Sequence, residues 1–276
     1  MKEINILDSN FAHHKKSSVA DHQDNERFIW CRRNELVSDS CFFTDLHLRD
    51  VDRVQKPKRK IAWLLEPRAI NPGMYQWIVE NNRKFDYVLT FDKQLLDLRQ
   101  NYLFYPFGVS WIRVQPEQYK KTKKFSIIAS NKSMTPGHEF RKQVVEHCLK
   151  RGDVDVFGRG YNEIESKEQG LDDYMFSIVM ENSRADWYFS EKLIDCMLTA
   201  TVPIYWGCEN LHQFFDVDSI LNFTSIEGLD NILNVVNEGV YSLLTNSIDT
   251  NISRIYDNFL DIPEHWMFKH YPFLFE

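Results

Sequence analysis

Short apolar segments separated by polar ones recur through the first half of the chain, and most of them end at a proline, a glycine or an acid. They are INILD (4–8), RFIWC (27–31), KIAWLLEP (60–67), FDYVLTFD (85–92) and YLFYPFGV (102–109). Continuous apolar runs of this length are typical of strands buried on both faces of a parallel sheet. YQWIVENNRKF (75–85) instead places Tyr75, Ile78, Val79 and Phe85 near one stripe, which predicts a helix.

A second series of apolar segments follows a polar, basic stretch, IRVQPEQYKKTKK (112–124), which we interpret as a linker. The predicted strands of this series are KFSIIASN (124–131), VDVFGRG (154–160), LDDYMFSIVMEN (171–182) and TVPIYWG (201–207). The predicted helices are HEFRKQVVEHCLKRG (138–152) and SEKLIDCMLTA (190–200), and the tail from residue 228 has a mostly helical pattern. Strands that alternate with helices favour parallel sheets covered by helices.

Two such series predict an α/β fold of two Rossmann-like domains whose parallel sheets face each other across a cleft. We expect an N-terminal domain over residues 1–118 and a C-terminal domain over residues 119–276, with the last helix able to pack back on the N-terminal domain. Ligands of open parallel sheets bind at the carboxyl ends of the strands. The positions of interest are therefore Glu66, Ser130–Asn131 and the segment 181–192, which all follow predicted strands.

The composition excludes several classes of protein. Apolar residues make up 43% of the chain, which is enough for a full core, and the formal net charge of −7 argues against a nucleic-acid partner. The five cysteines are scattered with no CxxC pair, which is typical of reduced thiols in the cytoplasm. No window approaches 18 consecutive apolar residues and the N-terminus has no signal peptide, so we expect a soluble cytoplasmic protein without a membrane span.

The segment ENSRADWYFSEKLIDCMLTATVPIYWG (181–207) crowds charged and aromatic residues against a helix that must be buried. Ser190 is the predicted N-cap of this helix, and Glu191 and Lys192 fall in its first turn. A helix N-terminus attracts anions, so Lys192 beside it suits a diphosphate, and Glu191 suits sugar or ribose hydroxyls. The alternative needs no ligand: acids are favoured in a first helical turn, and an aromatic residue before a helix often acts as a hydrophobic staple.

Several linked motifs around this segment resemble the donor-binding signature of glycosyltransferase family 10, the α-1,3/1,4-fucosyltransferases. They are FSIVMENS (176–183), YFSEKLID (188–195) and TVPIYWG (201–207), preceded by SNKSMTPGHEFRKQ (130–143) and VDVFGRG (154–160). The resemblance extends over residues 120–225, and Phe189 and Ser190 replace the family's usual Val-Thr. It implies a GT-B fold and an inverting, metal-independent transfer of fucose from GDP-β-L-fucose to a glycan hydroxyl, of the α-1,3 type and without a further cofactor.

The resemblance also implies a donor-binding role for seven residues of the C-terminal domain, which are Ser130, Asn131, Arg141, Asn182, Tyr188, Glu191 and Lys192. In this assignment Arg141 and Lys192 neutralise the diphosphate. Asn182 and Tyr188 contact the diphosphate or the ribose, and Glu191 contacts hydroxyls of the ribose or the fucose. The charged residues then crowd the buried helix because its first turn forms the floor of the donor pocket.

An inverting transfer needs a base that takes the proton of the acceptor hydroxyl. The family draws this carboxylate from the N-terminal domain, directly after a strand, and WLLEPRAINPG (63–73) places Glu66 there. Arg68 is then a partner for Glu66 or a contact for the acceptor. The alternative is that Glu66 only marks the end of a strand.

Other sequence patterns are weaker indications of a functional site. Three Asp-x-Asp pairs, at 50–52, 153–155 and 216–218, match a metal-binding pattern of other glycosyltransferases, but the chain is rich in acids and we assign no metal site to them. His138 is expected at the surface, and the alternative is that it lines the donor pocket near Arg141. Two further functions stay open, namely a transferase of the same fold with a different nucleotide sugar and a nonenzymatic protein that binds nucleotides or glycans.

Overall fold

The structure is a computed structural model of the 276-residue chain, and it describes residues 1–9, 27–33, 35–54, 57–106, 110–112, 120–258 and 263–276. The chain divides into two compact units. The first unit contains Met1–Val109 together with Asp261–Glu276, and the second contains Ser110–Leu260. Each unit is built on one parallel β-sheet.

The strands and the helices of the described residues are numbered separately, each in chain order. The strands are β1 (Lys2–Leu7), β2 (Phe28–Cys31), β3 (Ser40–Thr44), β4 (Arg59–Trp63), β5 (Tyr87–Thr90), β6 (Tyr102–Phe104), β7 (Lys123–Ile128), β8 (Asp155–Phe157), β9 (Tyr174–Met180), β10 (Val202–Trp206) and β11 (Leu221–Asn222). The helices are α1 (Pro72–Asn81), α2 (Lys93–Leu96), α3 (Pro136–Arg151), α4 (Glu191–Leu198), α5 (Ile226–Val235), α6 (Glu238–Leu243), α7 (Thr245–Asn258) and α8 (Pro263–His270). Two of the described 3-10 helices span Asp45–Asp50 and Lys167–Gly170. Among the described helices, none is long and apolar enough to cross a membrane.

The first unit holds a sheet in the order β2-β1-β3-β4-β5-β6, in which all neighbouring strands are parallel. All five strands predicted for the first half of the chain are present, and the predicted helix is found as α1, which begins at Pro72. The sequence pattern does not predict β3, although this strand lies inside the sheet and all five of its residues are buried. Its sequence, SCFFT, begins and ends on a hydroxyl residue and lacks the long apolar run that marks its neighbours.

Apolar side chains cover both faces of this sheet. On one face Trp30 and Trp63 pack with Trp266 and Met267 of α8, and the Trp30 indole N–H donates to Glu264 Oε1 at 2.7 Å. On the opposite face the sheet packs against α1. Truncation of a buried Trp to Ala costs about 3–5 kcal/mol, so the C-terminal segment makes a substantial contribution to the core of the first unit.

The second unit holds a parallel sheet in the order β11-β10-β9-β7-β8. One face packs against α3 and α5, through residues such as Val144 and Leu229, and the other packs against α4 and α7, through Leu193 and Ile255. Both faces of β9 are therefore buried, as its continuous apolar sequence predicts. The two parallel sheets with flanking helices confirm the predicted α/β class with two Rossmann-like domains.

The ends of β9 and β10 bring two chain segments to the same edge of this sheet. Met180 and Trp206 are register partners, so Glu181 and Gly207 leave the sheet side by side. A Cβ atom on Gly207 would lie 2.2 Å from the Tyr205 hydroxyl, so only glycine allows this close packing. The segment that follows β9 is thereby held at the carboxyl edge of the sheet.

Lys121 corrects the linker interpretation of residues 112–124, of which 113–119 lie outside the described residues. The Lys121 Nζ donates to the backbone carbonyls of Leu171 at 3.1 Å and Asp172 at 2.9 Å, and to Thr201 Oγ1 at 2.8 Å. Burial lowers the pKa of this ammonium to about 8. The linker interpretation is wrong for Lys121, which is an internal brace of the second unit.

Candidate functional site

Glu181 fixes the beginning of α4 to the end of β9. Its backbone N–H donates to the Trp206 carbonyl at 3.0 Å, which continues the pairing of β9 with β10. Its fully buried carboxylate accepts two hydrogen bonds from Ser190, one from the backbone N–H at 2.9 Å and one from the hydroxyl at 2.6 Å. Ser190 caps α4 as predicted, because its Oγ accepts from the Lys192 backbone N–H at 3.4 Å. Burial raises the pKa of Glu181, against the opposing field of Lys192.

Lys192 connects this buried carboxylate to the first turn of α4. Its Nζ lies 3.0 Å from Ser190 Oγ, 3.2 Å from Glu191 Oε1 and 3.6 Å from Glu181 Oε2. Burial disfavours the charged form of Lys192, but the negative charges of Glu191 and Glu181 have the larger effect and raise the pKa of the ammonium. Burial also opposes ionisation of Glu191, yet Lys192 and Lys167 outweigh it and lower the pKa of the carboxyl to about 2. An ammonium and an ionised carboxylate therefore stand side by side at the positive end of the helix.

A second ion pair lies further along α4. The Lys167 Nζ is 2.6 Å from Asp195 Oδ2 and 3.8 Å from Glu191 Oε1, and it lies 4.9 Å from the centroid of the Trp111 ring. Asp195 Oδ1 accepts from the Trp111 backbone N–H at 2.9 Å and from the Ser110 hydroxyl at 3.1 Å. Lys167 belongs to no sequence motif, because only the fold brings its 3-10 helix to α4.

Arg141 approaches the same cluster from α3. The residue is 5% exposed, and its Nη1 lies 3.5 Å from Asn182 Oδ1, at the outer limit of a hydrogen bond. The buried Nε has no hydrogen-bond partner, and no carboxylate of the described residues forms an ion pair with this guanidinium. Burial lowers the pKa of Arg141, although Glu181 and Tyr188 act in the opposite direction. The guanidinium is thus a buried cation whose hydrogen-bonding capacity is largely unused.

The first turn of α3 packs directly on residue 182. The Thr135 Oγ1 caps this helix by accepting from the His138 backbone N–H at 3.1 Å, and it donates to the Asn182 carbonyl at 2.8 Å. A Cβ atom on Gly137 would lie 2.3 Å from the same carbonyl oxygen, so this approach also requires glycine. His138 is only 2% exposed, with Nδ1 at 3.0 Å from Thr135 Oγ1, so the expectation of a surface histidine is wrong. Burial lowers the pKa of His138, and the positive charge of Arg141 acts in the same direction.

The predicted donor-binding residues lie in two places in the second unit. One group lies in the N-terminal half of α3, the first turn of α4 and the segment between β9 and α4, and it contains Arg141, Asn182, Tyr188, Glu191 and Lys192. Within it, Tyr188 is fully buried and interacts electrostatically with Arg141. Ser130 and Asn131 follow β7, and the Asn131 backbone N–H donates to the Arg159 carbonyl at 3.3 Å, beside the turn after β8.

Glu66, the predicted base, belongs to the first unit. It lies three residues beyond β4 and is partly buried. Its backbone N–H donates to Asp45 Oδ1 at 3.4 Å, and its carbonyl accepts from the Tyr75 hydroxyl at 2.9 Å. Arg68, which the sequence offers as a partner of Glu66 or as an acceptor contact, forms a two-point ion pair with Asp92 at 3.1 and 2.9 Å.

Both acidic residues of the Asp-x-Asp pair at 153–155 have ordinary structural partners. Asp153 pairs with Arg151 at 2.9 Å, and Asp155 accepts from the Tyr174 hydroxyl at 2.6 Å. Across the described ranges, no group of three or more His, Cys, Asp and Glu side chains is arranged to hold a metal ion.

Residues 118–242 match the family model described as Glycosyltransferase family 10 (fucosyltransferase) C-term. This range includes Arg141, Glu181 and Lys192, and therefore the core of the cluster around α4. The chain is also 31% identical over 77 residues to the Alpha-(1,3)-fucosyltransferase FucT of Helicobacter pylori, which covers 28% of this chain and 16% of that protein. The matches span only 16–21% of the length of the curated relatives.

Solved structures match both units. One crystal structure of an alpha1,3-fucosyltransferase has a TM-score of 0.63 at 18% identity, over 99% of this chain and 88% of that chain. A crystal structure of an alpha1,3-fucosyltransferase with GDP-fucose has a TM-score of 0.57 at 16% identity, over 92% of this chain and 89% of that chain. At these identities the matches establish the fold, and they confirm the expected GT-B-like class.

Proposed function

Because residues 118–242 carry the C-terminal domain of glycosyltransferase family 10, we propose that this protein transfers L-fucose from GDP-fucose to a hydroxyl group of a glycan. The H. pylori relative is an alpha-(1,3)-fucosyltransferase, and one structure of similar fold contains GDP-fucose. Both similarities support GDP-fucose as the donor, and the relative's name supports an α-1,3-type linkage.

The observation that carries the proposal is the buried guanidinium of Arg141. A buried charge is costly unless an opposite charge pairs with it, and within the described residues this guanidinium has no carboxylate ion pair. The positive charge of Arg141 opposes that of Lys192, so the second unit combines a cation of α3 with one in the first turn of α4. A diphosphate would supply the missing negative charge, and its oxygens accept paired hydrogen bonds from arginine.

The neighbouring residues have complementary roles in this proposal. Glu191 is ionised beside Lys192 and is suited to accept hydrogen bonds from ribose or fucose hydroxyls. Asn182 and Tyr188 lie next to Arg141 and would contact the diphosphate or the ribose. Ser130–Asn131, at the end of β7, would complete the donor site. Lys192, whose ammonium lies between the carboxylates of Glu191 and Glu181, would give part of its hydrogen bonding to the diphosphate.

Glu66 is the proposed base of an inverting reaction. The acceptor oxygen attacks C1 of fucose on the face opposite the diphosphate, the bond from C1 to the GDP oxygen breaks, and Glu66 takes the acceptor proton. GDP leaves, and the configuration at C1 is inverted. Arg141 and Lys192 would stabilise the charge that develops on the leaving diphosphate, a role that fixed cations can fill without a metal ion.

Thermal unfolding in the presence of EDTA tests the donor assignment. A ligand at 100 times its dissociation constant adds about 2.7 kcal/mol to the stability of the folded state, which is readily measured. We expect stabilisation by GDP and GDP-fucose and none by UDP or CMP. Stabilisation by UDP or CMP alone would indicate that the donor is another nucleotide sugar and not GDP-fucose. A requirement for added Mg²⁺ or Mn²⁺ would contradict metal independence.

Release of GDP from GDP-fucose tests catalysis separately from binding. Slow hydrolysis of the donor needs no acceptor, so it can be followed before the acceptor is identified. A panel of oligosaccharides is then screened for acceleration of GDP release. Tight GDP binding without any GDP release from GDP-fucose or GDP-mannose would favour a nonenzymatic nucleotide-binding protein instead.

A further inference from the structure

Asp45 is a strained and buried acid at the end of β3. Its φ angle is +38°, in the left-handed region that residues other than glycine rarely occupy. The residue is only 3% exposed although it carries a carboxyl group. Both features are costly, and such residues persist where the surrounding structure makes use of them.

The carboxylate of Asp45 holds the backbone that leads to Glu66. β3 and β4 are parallel neighbours, so the residues that follow them leave the sheet side by side. The Leu64 N–H still donates to the Leu89 carbonyl beside β4, at 3.0 Å. The next two N–H groups, those of Leu65 and Glu66, donate to Asp45 Oδ1 at 2.9 and 3.4 Å. The side chain of Asp45 thus continues the hydrogen bonding of β4 after the sheet has ended.

Tyr75 holds the same segment from its other side. Its buried hydroxyl donates to the Glu66 carbonyl at 2.9 Å. The Arg68 guanidinium lies 4.6 Å from the centroid of the Tyr75 ring and is itself held by Asp92. The backbone of Glu66 is therefore anchored at its N–H by Asp45 and at its carbonyl by Tyr75.

We propose that Asp45 is a positioning residue for Glu66, whose carboxylate it keeps in one geometry by fixing the backbone at Leu65 and Glu66. The catalytic consequence rests on the proposed function, in which Glu66 is the base. A displacement of about 1 Å can lower the rate of a catalysed step roughly 100-fold. The loss of Asp45 is thus expected to act on turnover, whereas the binding of GDP depends on residues of the second unit.

Two substitutions separate the carboxylate from the backbone strain. Asp45→Asn keeps a carbonyl oxygen as acceptor and tolerates a positive φ, whereas Asp45→Gly relieves the strain but removes the acceptor. Asp52→Gly is the matched control, because Asp52 is another acid close in sequence and its side chain is 63% exposed. We expect Asp45→Gly to lower GDP release from GDP-fucose roughly 10- to 100-fold with an unchanged Kd for GDP. Asp45→Asn and Asp52→Gly should keep most of the activity.

A double-mutant cycle with Glu66→Gln distinguishes positioning from a general loss of stability. If Asp45 acts through Glu66, Asp45→Gly should cause little further loss of turnover in the Glu66→Gln background. If the role of Asp45 were purely structural, the reductions in turnover caused by Asp45→Gly and Glu66→Gln would multiply in the double variant. Multiplied losses, or full activity of Asp45→Gly below its melting temperature, would overturn the inference.

Amide hydrogen exchange tests the anchor without any substrate. Asp45→Gly should accelerate exchange at the amides of Leu65 and Glu66 and leave that of Leu64, which is bonded to β5, largely protected. If the wild-type protein releases no GDP from GDP-fucose, the proposed function fails. The exchange data still decide whether Asp45 anchors the backbone at Leu65 and Glu66, because they need no substrate. Faster exchange at both amides supports the anchor, and unchanged exchange overturns it.

Discussion

Replacement of Arg141 by Met should stabilise the ligand-free protein and at the same time weaken its binding of GDP. Arg141 is 5% exposed, its Nε has no hydrogen-bond partner, and its contact with Asn182 is 3.5 Å long. Replacing buried ionic groups by apolar side chains of similar volume is often stabilising, by about 1–4 kcal/mol. Because Glu181 still favours the charged guanidinium electrostatically, we expect the lower part of this range, about 1–2 kcal/mol.

The same substitution removes a proposed diphosphate contact. A hydrogen bond to a charged group is worth about 1.5–3 kcal/mol, which corresponds to a Kd for GDP that is roughly 10- to 100-fold higher in Arg141→Met. Calorimetric titration with GDP measures this loss, and urea unfolding of the ligand-free protein measures the gain in stability. The opposite signs of the two effects distinguish a ligand-binding cation from a structural one.

Arg151→Met is the matched control, because Arg151 lies on the same helix and forms ion pairs with Asp153 and Asp230. It should leave the Kd for GDP unchanged and lower the stability slightly or not at all. If Arg141→Met loses more than about 1 kcal/mol of stability, a typical cost for a structural side chain, Arg141 is a structural cation. An unchanged Kd for GDP would exclude Arg141 from the donor site.

Three further predictions concern single residues. Glu66→Gln should lower GDP release from GDP-fucose by about 10²- to 10⁴-fold and leave a measurable residual rate, while calorimetry shows an unchanged Kd for GDP; normal turnover would exclude Glu66 as the base. Glu181→Ala should cost about 3–5 kcal/mol in urea unfolding, because it breaks a buried charged network, and a loss below 1 kcal/mol would contradict this view of the α4 start. Because burial lowers the pKa of His138, its neutral form stabilises the fold above the unfolded value of 6.5, and this stabilisation is lost as the pH falls. His138→Asn should therefore flatten the rise of stability that accompanies an increase in pH toward 6.5, as measured by urea unfolding over a pH series.

The local features of the candidate site are predictable because they depend on residues that are close in sequence. Ser190, Glu191 and Lys192 are consecutive, so capping rules alone place them at one helix start. The glycine requirement at position 137 is different, since Gly137 is needed for a close contact with the carbonyl of the distant Asn182. A sequence pattern cannot reveal such a contact until the partner is known.

The missed residues have in common that their partners are far away in the chain. His138 has an ordinary place in an amphipathic helix, and it is buried only because the start of α3 packs on residue 182. Lys167 meets Asp195 across 28 positions, and Asp45 meets Leu65 across 20. None of these pairs lies within one periodic segment, so hydrophobic periodicity carries no information about them.

Local patterns in the chain were enough to derive the alternation of strands and helices, the two parallel sheets that follow from it, and the family resemblance of residues 120–225. These properties are local or additive, because strand, helix and cap preferences act over a few neighbouring residues. Three other properties follow from the packed fold: α8 completes the core of the first unit, the Arg141 guanidinium is buried without a carboxylate ion pair among the described residues, and Asp45 anchors the segment of Glu66. Burial, charge pairing and backbone strain are properties of the surroundings of a residue, and those surroundings form only when distant segments pack together.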